Sequence, residues 1–313
     1  MRVSPKNIRR TMRARAHDQL TPAPFVVGIA RSGTTLLRLM LDAHPQLTIP
    51  PETHFAPKVI NAYTQMREDK ISNEEMRARG AAIVVGHPRW GDFGLDAHEF
   101  QRRVDATDGV TARPILRTFF EYYAEEQGKP RWGDKSPPYT WKAPKIQSAL
   151  PEARFINLIR DGRDVALSLN EVSWGPGGIS LSAEKWVKEL TLARRRAKRL
   201  RRGTYLEVRY EDLVTDPEPI LRQVADFVRL PWDDAMMNYH VGAEQRMSQV
   251  VRELKPQGGG LITAEERVKQ HELVSKPPSS QRAGRWRTDM SEEDRAAFEN
   301  IAGDLLRDLG YET

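Results

Sequence analysis

Apolar residues along the chain fall into short continuous runs that alternate with stretches of helical spacing. The run Phe25-Val26-Val27 precedes a polar, glycine-bearing turn, and apolar residues then recur at helical spacing over 36–41. Further short β-like runs cover 131–134, 154–159 and 205–208, with helical patterns between them. This alternation predicts an α/β fold with a central parallel sheet of four or five strands flanked by helices.

The regions between and around these runs indicate the domain organisation. Residues 1–22 are polar and basic without periodicity, which is typical of a flexible arm, so 23–313 form the predicted single domain. Residues 56–130 mix helical patterns with loops and predict a helical cap on the side where an acceptor would bind. Glycine, proline and serine are frequent over 255–287, which predicts a covering loop, and a helical pattern over 291–309 closes the chain.

The composition limits the class of protein. The chain has 313 residues and no cysteine, which excludes a disulfide-stapled secreted module and makes a cytoplasmic location the expectation. No segment approaches the roughly 20 apolar residues of a membrane span, so we expect no transmembrane segment. The formal charge of +6, from 49 basic and 43 acidic side chains, suits a polyanionic ligand as readily as a nucleic acid.

The turn after the first apolar run has the composition of an anion-binding loop. Gly28 and Gly33 have the spacing of a P-loop, GxxxxGK[ST], but Thr34 stands where that motif carries its lysine. A strand-loop-helix turn directs backbone N–H groups and the positive end of the helix dipole at an anion, so anion binding survives the loss of the lysine. Suitable side-chain donors in this P-loop-like turn are Arg31, Ser32, Thr34 and Thr35.

A second candidate anion site follows a later strand. Arg160 comes directly after the apolar run 155–159, and Ser168 follows eight residues later. Open α/β sheets bind ligands at the carboxyl ends of their strands, which is where Arg160 is expected. Two anion sites at the ends of neighbouring strands would suit a nucleotide with two separated phosphates, such as a 3′,5′-bisphosphorylated nucleotide.

Three residues are candidates for acid–base and charge-stabilising roles. Glu52 and His54 lie just beyond the loop-helix unit, and spacing alone favours His54 as general base because an imidazole titrates near neutrality. Lys135, at a predicted strand end before Pro137, is suited to neutralise a developing negative charge.

Taken together, these stretches resemble the sulfotransferases that use 3′-phosphoadenosine 5′-phosphosulfate (PAPS), from about Pro24 to Tyr311. The resemblance is closer to the tyrosylprotein and heparan-type branches and their bacterial relatives than to the cytosolic aryl sulfotransferases, which carry a lysine at the position of Arg31. It implies that the loop binds the 5′-phosphosulfate and that Arg160 and Ser168 bind the 3′-phosphate. The nucleotide contacts implied by the resemblance are Arg31, Ser32, Gly33, Thr34, Thr35, Leu36, Arg160, Ser168, Tyr210, Lys276, Arg282, Arg285 and Trp286. Which of Lys276, Arg282 and Arg285 contacts a phosphate stays open.

The resemblance also implies catalytic roles. It makes Glu52 the base, in place of the preference for His54 that spacing gives, and Lys135 the residue that assists the leaving group. The reaction would give a sulfate ester and 3′-phosphoadenosine 5′-phosphate (PAP), and no metal is required. The acceptor carries a hydroxyl, and its class (peptide, glycan, lipid or small metabolite) is open, as is the oligomeric state.

The sequence also admits two other interpretations. A P-loop kinase that uses ATP nearly fits the first loop but fails at Thr34, which replaces the phosphate-binding lysine. A nucleic-acid-binding or polyanion-binding protein is suggested by the basic run 185–202. That run has no interleaved aromatic residues to stack on bases, so we expect no specific nucleic-acid partner.

Overall fold

The computed structural model describes residues 19–108, 111–243 and 276–313. Within these ranges the strands, in chain order, are β1 (Ala23–Gly28), β2 (Leu47–Thr48), β3 (Arg131–Trp132), β4 (Asp134–Lys135), β5 (Ala153–Ile159) and β6 (Tyr205–Arg209). Four of them form the central sheet in the order β4-β1-β5-β6, and β2 and β3 form a separate two-stranded sheet. All of these pairings are parallel, so the predicted α/β fold is confirmed.

Helices of the described residues flank the sheet and connect its strands. They are α1 (Thr34–Asp42), α2 (Ala56–Glu68), α3 (Asn73–Val85), α4 (Ala97–Asp105), α5 (Ala112–Glu126), α6 (Ala143–Ala149), α7 (Gly162–Asn170), α8 (Ile179–Ala197), α9 (Tyr210–Thr215), α10 (Pro217–Phe227), α11 (Trp286–Asp289) and α12 (Glu292–Asp308). Short 3₁₀ turns cover Trp90–Asp92, Pro137–Lys142, Asp234–Met236, Tyr239–Gly242 and Ser280–Arg282. The predicted closing helix is α12, which Ser291 caps by accepting the Asp294 N–H at 3.1 Å.

One predicted strand is divided in the structure. The sequence pattern predicts one strand over 131–134, but the structure divides it at Gly133 into β3, which pairs with β2, and β4, which pairs with β1. The Gly133 N–H donates to the Thr48 carbonyl at 2.9 Å, and a Cβ at this position would lie 2.7 Å from the Pro24 carbonyl oxygen. Close approach of two backbones at Gly133 therefore lets the chain change sheets there.

The two faces of the central sheet have separate cores, because successive side chains of a strand point to opposite faces. Phe25 and Phe155 face the aromatic side, where Phe120 stacks on Trp132 with ring centroids 4.6 Å apart. Val26 faces the opposite side and packs with α1, α9 and α10. A third cluster joins α7, α8 and α12 through buried residues such as Trp186. The aromatic residues of α5 are therefore core residues, as their helical spacing predicts.

The parallel strands bring the candidate chemistry to one edge of the sheet. Gly28, Lys135, Ile159 and Arg209 are the last residues of β1, β4, β5 and β6, so the segments that follow them meet at the carboxyl edge. Most of the predicted arm and the part of the predicted covering loop before residue 276 lie outside the described residues. Within the described residues, no helix has the length and hydropathy to cross a membrane.

Candidate active site

The loop between β1 and α1 is held in a conformation that needs glycine at its end. Gly33 has φ of 89° and precedes the first residue of α1, and a Cβ on Gly33 would lie 2.4 Å from Cδ2 of Tyr210. Arg31 also has a positive φ, 73°, which is uncommon for a residue with a side chain. Tyr210 and the loop are thus in direct contact.

The side chains of this loop divide between the site and the core. Ser32 and Thr34 are buried at the turn, and Thr35 lies within 3.3 Å of the Lys135 ammonium group. Leu36 packs into the core cluster of α1, so its side chain belongs to the interior.

The two predicted anion sites come together. The Arg31 Nε–H donates to Ser168 Oγ at 3.0 Å, and Arg160 Nη1 donates to the Arg31 carbonyl oxygen at 3.0 Å. Arg160 also lies over the Tyr210 ring, 4.7 Å from its centroid, and is buried with no hydrogen-bond partner for its Nε within the described ranges. Burial lowers the pKa of the Arg31 guanidinium, and the nearby Arg282 and Arg160 lower it further. The guanidinium groups of Arg31, Arg160 and Arg282 are thus close enough to influence one another, and guanidinium groups bind phosphate through charge-assisted hydrogen bonds.

The segment 279–287 closes over α7 through backbone contacts. Arg160 donates a hydrogen bond to the Arg282 carbonyl oxygen. The two carboxylate oxygens of Asp164 accept the N–H groups of Gly284 and Trp286 at 2.7 and 2.9 Å. Asp164 therefore fixes the segment beside the Arg160 side chain.

Three further predicted nucleotide contacts differ in their surroundings. Trp286 is buried, with the Arg163 guanidinium 3.4 Å from its ring centroid. Lys276 is exposed, and its carbonyl oxygen accepts the Tyr239 hydroxyl at 2.5 Å. Arg285 is partly buried and pairs with Asp289 at 2.8 Å. Of the candidates for phosphate contact, Arg282 is joined directly to Arg160 through its carbonyl group.

The predicted catalytic residues form one ion-paired group at the carboxyl end of β4. Lys135 Nζ lies 2.7 Å from Glu52 Oε1 and 3.3 Å from Thr35 Oγ1. His54 Nε2 lies 3.0 Å from Glu52 Oε2. Glu52, His54 and Lys135 are therefore adjacent, and Lys135 also joins the carboxylate to the anion-binding loop.

The neighbouring cations determine the protonation state of Glu52. Burial by itself would raise the pKa of Glu52, but Lys135 and Arg89 outweigh burial and hold that pKa well below its usual value. Burial lowers the pKa of Lys135 despite the attraction of Glu52. Glu52 is consequently a carboxylate at neutral pH, with an oxygen able to accept a proton.

Arg89 is a site residue that sequence reasoning missed. Its Nη2 lies 3.3 Å from Glu52 Oε2, and it comes from the turn after α3, within the predicted cap. His87 lies beside it, and burial together with the nearby His54 and Arg89 lowers the pKa of His87 to about 4. No local pattern marks Arg89, because its partner is distant in sequence and the contact exists only in the folded chain.

A buried polar network supports the base. The Thr53 hydroxyl donates to Asp134 Oδ1 at 2.8 Å, and the Thr53 N–H donates to Ser136 Oγ at 3.2 Å. Tyr139 completes the network, with its hydroxyl oxygen 3.0 Å from Thr53 Oγ1. These bonds fix Thr53, which lies between Glu52 and His54. Ser136 Oγ also accepts the His54 N–H at 3.4 Å, and His54 has a positive φ of 53°. Sequence reasoning also missed this network, although its members Asp134 and Ser136 flank Lys135.

The basic run 185–202 lies partly on α8 and partly after it. Its exposed cations are Lys188, Arg195, Lys198, Arg199 and Arg202. The run ends just before Tyr205, the first residue of β6, so its arginine-rich end lies at the amino edge of the sheet, opposite to the candidate site. No three acidic or histidine side chains are grouped as metal ligands would be within the described ranges.

Comparison with known proteins gives consistent matches. The model of the sulfotransferase family matches residues 22–234. The chain is 25% identical over 310 residues to protein-tyrosine sulfotransferase A of Caenorhabditis elegans, covering 95% of this chain and 69% of that protein. It is 26% identical over 305 residues to the protein-tyrosine sulfotransferase of Drosophila melanogaster, covering 95% of this chain and 51% of that protein. It is 28% identical over 319 residues to nodulation protein NoeE of Sinorhizobium fredii, covering 94% of this chain and 67% of that protein.

Two solved structures share the fold. The sulfotransferase domain from the curacin biosynthetic pathway superposes with a TM-score of 0.58 at 21% identity, covering 94% of this chain and 99% of that one. The sulfotransferase domain from the Synechococcus PCC 7002 olefin synthase has a TM-score of 0.58 at 24% identity, covering 93% of this chain and 95% of that one.

Proposed function

The chain belongs to the sulfotransferase family, and from that premise we propose that it transfers the sulfuryl group of PAPS to an acceptor hydroxyl. The products are a sulfate ester and PAP. One observation carries the proposal: the Lys135 ammonium group lies between Glu52 Oε1, at 2.7 Å, and Thr35 Oγ1, at 3.3 Å. A base, a cation and an anion-binding loop therefore meet at one point, which is what sulfuryl transfer from an anionic donor to a hydroxyl needs.

The surroundings of Arg160 support a donor with two separated phosphates. Arg31, Arg160 and Ser168 are linked by hydrogen bonds, and the buried Nε of Arg160 has no hydrogen-bond partner among the described residues. A phosphate oxygen at this position would satisfy that donor. The 3′-phosphate of PAPS would be held by Arg160 and Ser168, and its 5′-phosphosulfate by the loop that begins at Arg31.

Glu52 serves as general base and Lys135 assists the departing nucleotide. The acceptor oxygen forms a bond to sulfur as the bond from sulfur to the bridging phosphate oxygen breaks, and Glu52 takes the acceptor proton. Lys135 stabilises the charge that develops on the departing phosphate oxygen. Because Lys135 also holds the pKa of Glu52 low, any movement of the ammonium group towards the departing oxygen raises that pKa as the proton is transferred.

His54 and Arg89 hold the second oxygen of the base. His54 Nε2 lies 3.0 Å and Arg89 Nη2 lies 3.3 Å from Glu52 Oε2. These two contacts restrict the orientation of the carboxylate. We place the acceptor on the side of the cap, because Arg89 of the cap reaches Glu52 Oε2 at 3.3 Å. Because several relatives are named protein-tyrosine sulfotransferases, tyrosine hydroxyls are the first acceptors to test on this chain.

Two measurements test the function. Transfer of labelled sulfate from PAPS to a panel of tyrosyl peptides, glycans and small alcohols, followed by mass, identifies the reaction. Thermal unfolding with PAP or with ATP and magnesium identifies the donor class, since a ligand stabilises the protein that binds it. We expect PAP to raise the melting temperature more than ATP does. A preference for ATP would contradict the proposal and favour the kinase interpretation.

A further inference from the structure

Glu171 lies among the cations of the nucleotide site. It follows α7 directly, three residues after Ser168, which accepts a hydrogen bond from Arg31. Glu171 Oε2 lies 3.1 Å from Arg282 Nη1, and its Oε1 lies 2.8 Å from Arg285 Nη1. One carboxylate thus pairs with two of the three arginines of the segment 279–287.

The neighbouring carboxylate, that of Asp164, makes different contacts. It is buried, and its two oxygens accept the N–H groups of Gly284 and Trp286, which anchors the backbone of the segment. Its Oδ2 also lies 3.6 Å from Arg160 Nη2. Glu171 binds only side chains and is 39% exposed. A change at Glu171 would therefore alter the charge of the site and leave the backbone anchoring intact.

A carboxylate and a phosphate bind guanidinium groups in the same way, through charge-assisted N–H···O bonds. Arg282 is tied to the site because its carbonyl oxygen accepts a hydrogen bond from Arg160. Arg31 is influenced by Arg282 and Glu171 together, which puts both within electrostatic reach of the loop. A phosphate bound at Arg160 would therefore meet Arg282 and Arg285 already paired with Glu171.

We propose that Glu171 lowers the affinity of the nucleotide site for the 3′-phosphate, because its carboxylate competes with that phosphate for Arg282 and Arg285. A phosphate dianion displaces the carboxylate and releases the two arginines to the nucleotide. A nucleotide without the 3′-phosphate leaves the pairs in place and gains nothing from these arginines. This inference rests on the proposed function, in which a 3′-phosphate binds beside Arg160.

Binding measurements on Glu171→Gln test the competition. Calorimetry gives the dissociation constants of PAP and of AMP, which lacks the 3′-phosphate, for the wild-type chain and for Glu171→Gln. We expect PAP to bind about threefold to tenfold more tightly to the variant, because one competing charge is removed, and AMP to bind almost unchanged. The gain for PAP should shrink as salt is raised from about 0.05 to 0.5 M, since screening weakens partly exposed ion pairs.

Glu218→Gln is the matched control. Glu218 is a half-exposed glutamate of α10 that pairs with Arg222, so the variant has the same change in net charge at a place outside the site. Its PAP affinity should equal that of the wild type. Thermal melting of each variant without nucleotide checks that it is folded, and Glu171→Ala provides a second removal of the carboxylate.

The outcomes separate the inference from the proposed function. Weaker PAP binding to Glu171→Gln would show that Glu171 only holds the arginines in position, which overturns the inference. Equal tightening of PAP and AMP, or no change for either, also overturns it. If PAP fails to bind the wild-type chain at all, the proposed donor itself is wrong, and the inference falls with it.

Discussion

Lys135 Nζ lies 2.7 Å from Glu52 Oε1, so an ion pair joins the carboxyl end of β4 to the segment before α2. Lys135 is almost fully buried, and Glu52 is only 21% exposed on its side chain. Removing one partner of a buried pair leaves the other charge uncompensated, which is unfavourable. The same two groups are the proposed base and leaving-group cation, so their variants should affect both catalysis and stability.

Glu52→Gln should keep nucleotide binding and lose most turnover. The amide has nearly the shape of the carboxylate but cannot accept the acceptor proton, so we expect kcat to fall by roughly 100-fold to 10,000-fold. Sulfate transfer from PAPS measures kcat, and thermal unfolding with PAP measures binding. His54→Gln is the comparison: its loss should be much smaller, because His54 contacts Glu52 Oε2 only as a supporting group. The reverse order of the two losses would make His54 the base.

Lys135→Gln should shift the pH dependence of turnover as well as its size. Burial favours the neutral form of Glu52, and the charge of Lys135 is the main influence that lowers the pKa of Glu52 in opposition. A base works only when deprotonated, so the wild type should keep kcat/KM down to acid pH. In Lys135→Gln the pKa of Glu52 rises, and the acid limb should move towards neutrality. Rates measured from about pH 4 to 8 would show this, and an unmoved limb would contradict the assigned pairing.

The effects of Glu52→Gln and Lys135→Gln should not add. Each single variant removes the same ion pair, so the double variant should lose less than the product of the two single losses in kcat/KM. The coupling is obtained from the four rates of the wild type, the two single variants and the double variant. Full additivity would mean that the two side chains act independently.

The fold and part of the candidate site could be predicted from the sequence because the elements involved are determined by residues close together in the chain. The loop before α1 is determined by its own glycine and hydroxyl side chains. Arg160 directly follows β5, and Ser168 lies on the next helix, α7, eight residues later. The meeting of these two halves follows from parallel strands that end at one edge.

The features that sequence reasoning missed depend on folding. Arg89 reaches Glu52 from the predicted cap, and no spacing along the chain indicates that contact. The division of one predicted strand at Gly133 arises from the close approach of Pro24, which belongs to another strand. No sequence pattern marks Asp134. Its role in the buried network arises from its burial and from the hydrogen bond that it accepts from the Thr53 hydroxyl in the folded chain.

Asp134→Asn should stabilise the protein at alkaline pH. Burial raises the pKa of Asp134 from 3.8 to about 7, against the opposing effect of its hydrogen bond from Thr53. The folded chain therefore keeps a proton that the unfolded chain releases above about pH 4, so this contribution to stability is present at acid pH and lost as pH rises through 7. Asparagine stays neutral and still accepts the Thr53 hydroxyl at Oδ1.

Denaturant unfolding at pH 5 and pH 8 measures this effect. Between these two pH values the advantage of Asp134→Asn over the wild type should grow by up to about 3 kcal/mol, since it grows only over the roughly two pH units below the folded pKa of about 7 and one pKa unit corresponds to about 1.36 kcal/mol. Asn substitution of the exposed Asp105 on α4 is the control and should show no such growth. An advantage that is equal at both pH values would mean that Asp134 is ionised throughout.

Gly33→Ala should damage both stability and nucleotide binding. Alanine at φ of 89° is strained, and its Cβ would lie 2.4 Å from the Tyr210 ring, which must then move away from the loop. Gly94 separates the backbone strain from the clash, because it has φ of 66° but a Cβ added to it would have no atom within 4 Å. Gly94→Ala should therefore lose only about 1 kcal/mol from strain, while Gly33→Ala should lose about 1 to 3 kcal/mol more from the clash.

PAP binding distinguishes the two glycines further. The Tyr210 ring lies under the Arg160 guanidinium, 4.7 Å from its centroid, so displacement of the ring disturbs the arginine that is proposed to hold the 3′-phosphate. Gly33→Ala should consequently lose the increase in melting temperature that PAP produces, and Gly94→Ala should keep it. Equal responses of the two variants to PAP would mean that the contact between Gly33 and Tyr210 does not shape the nucleotide site.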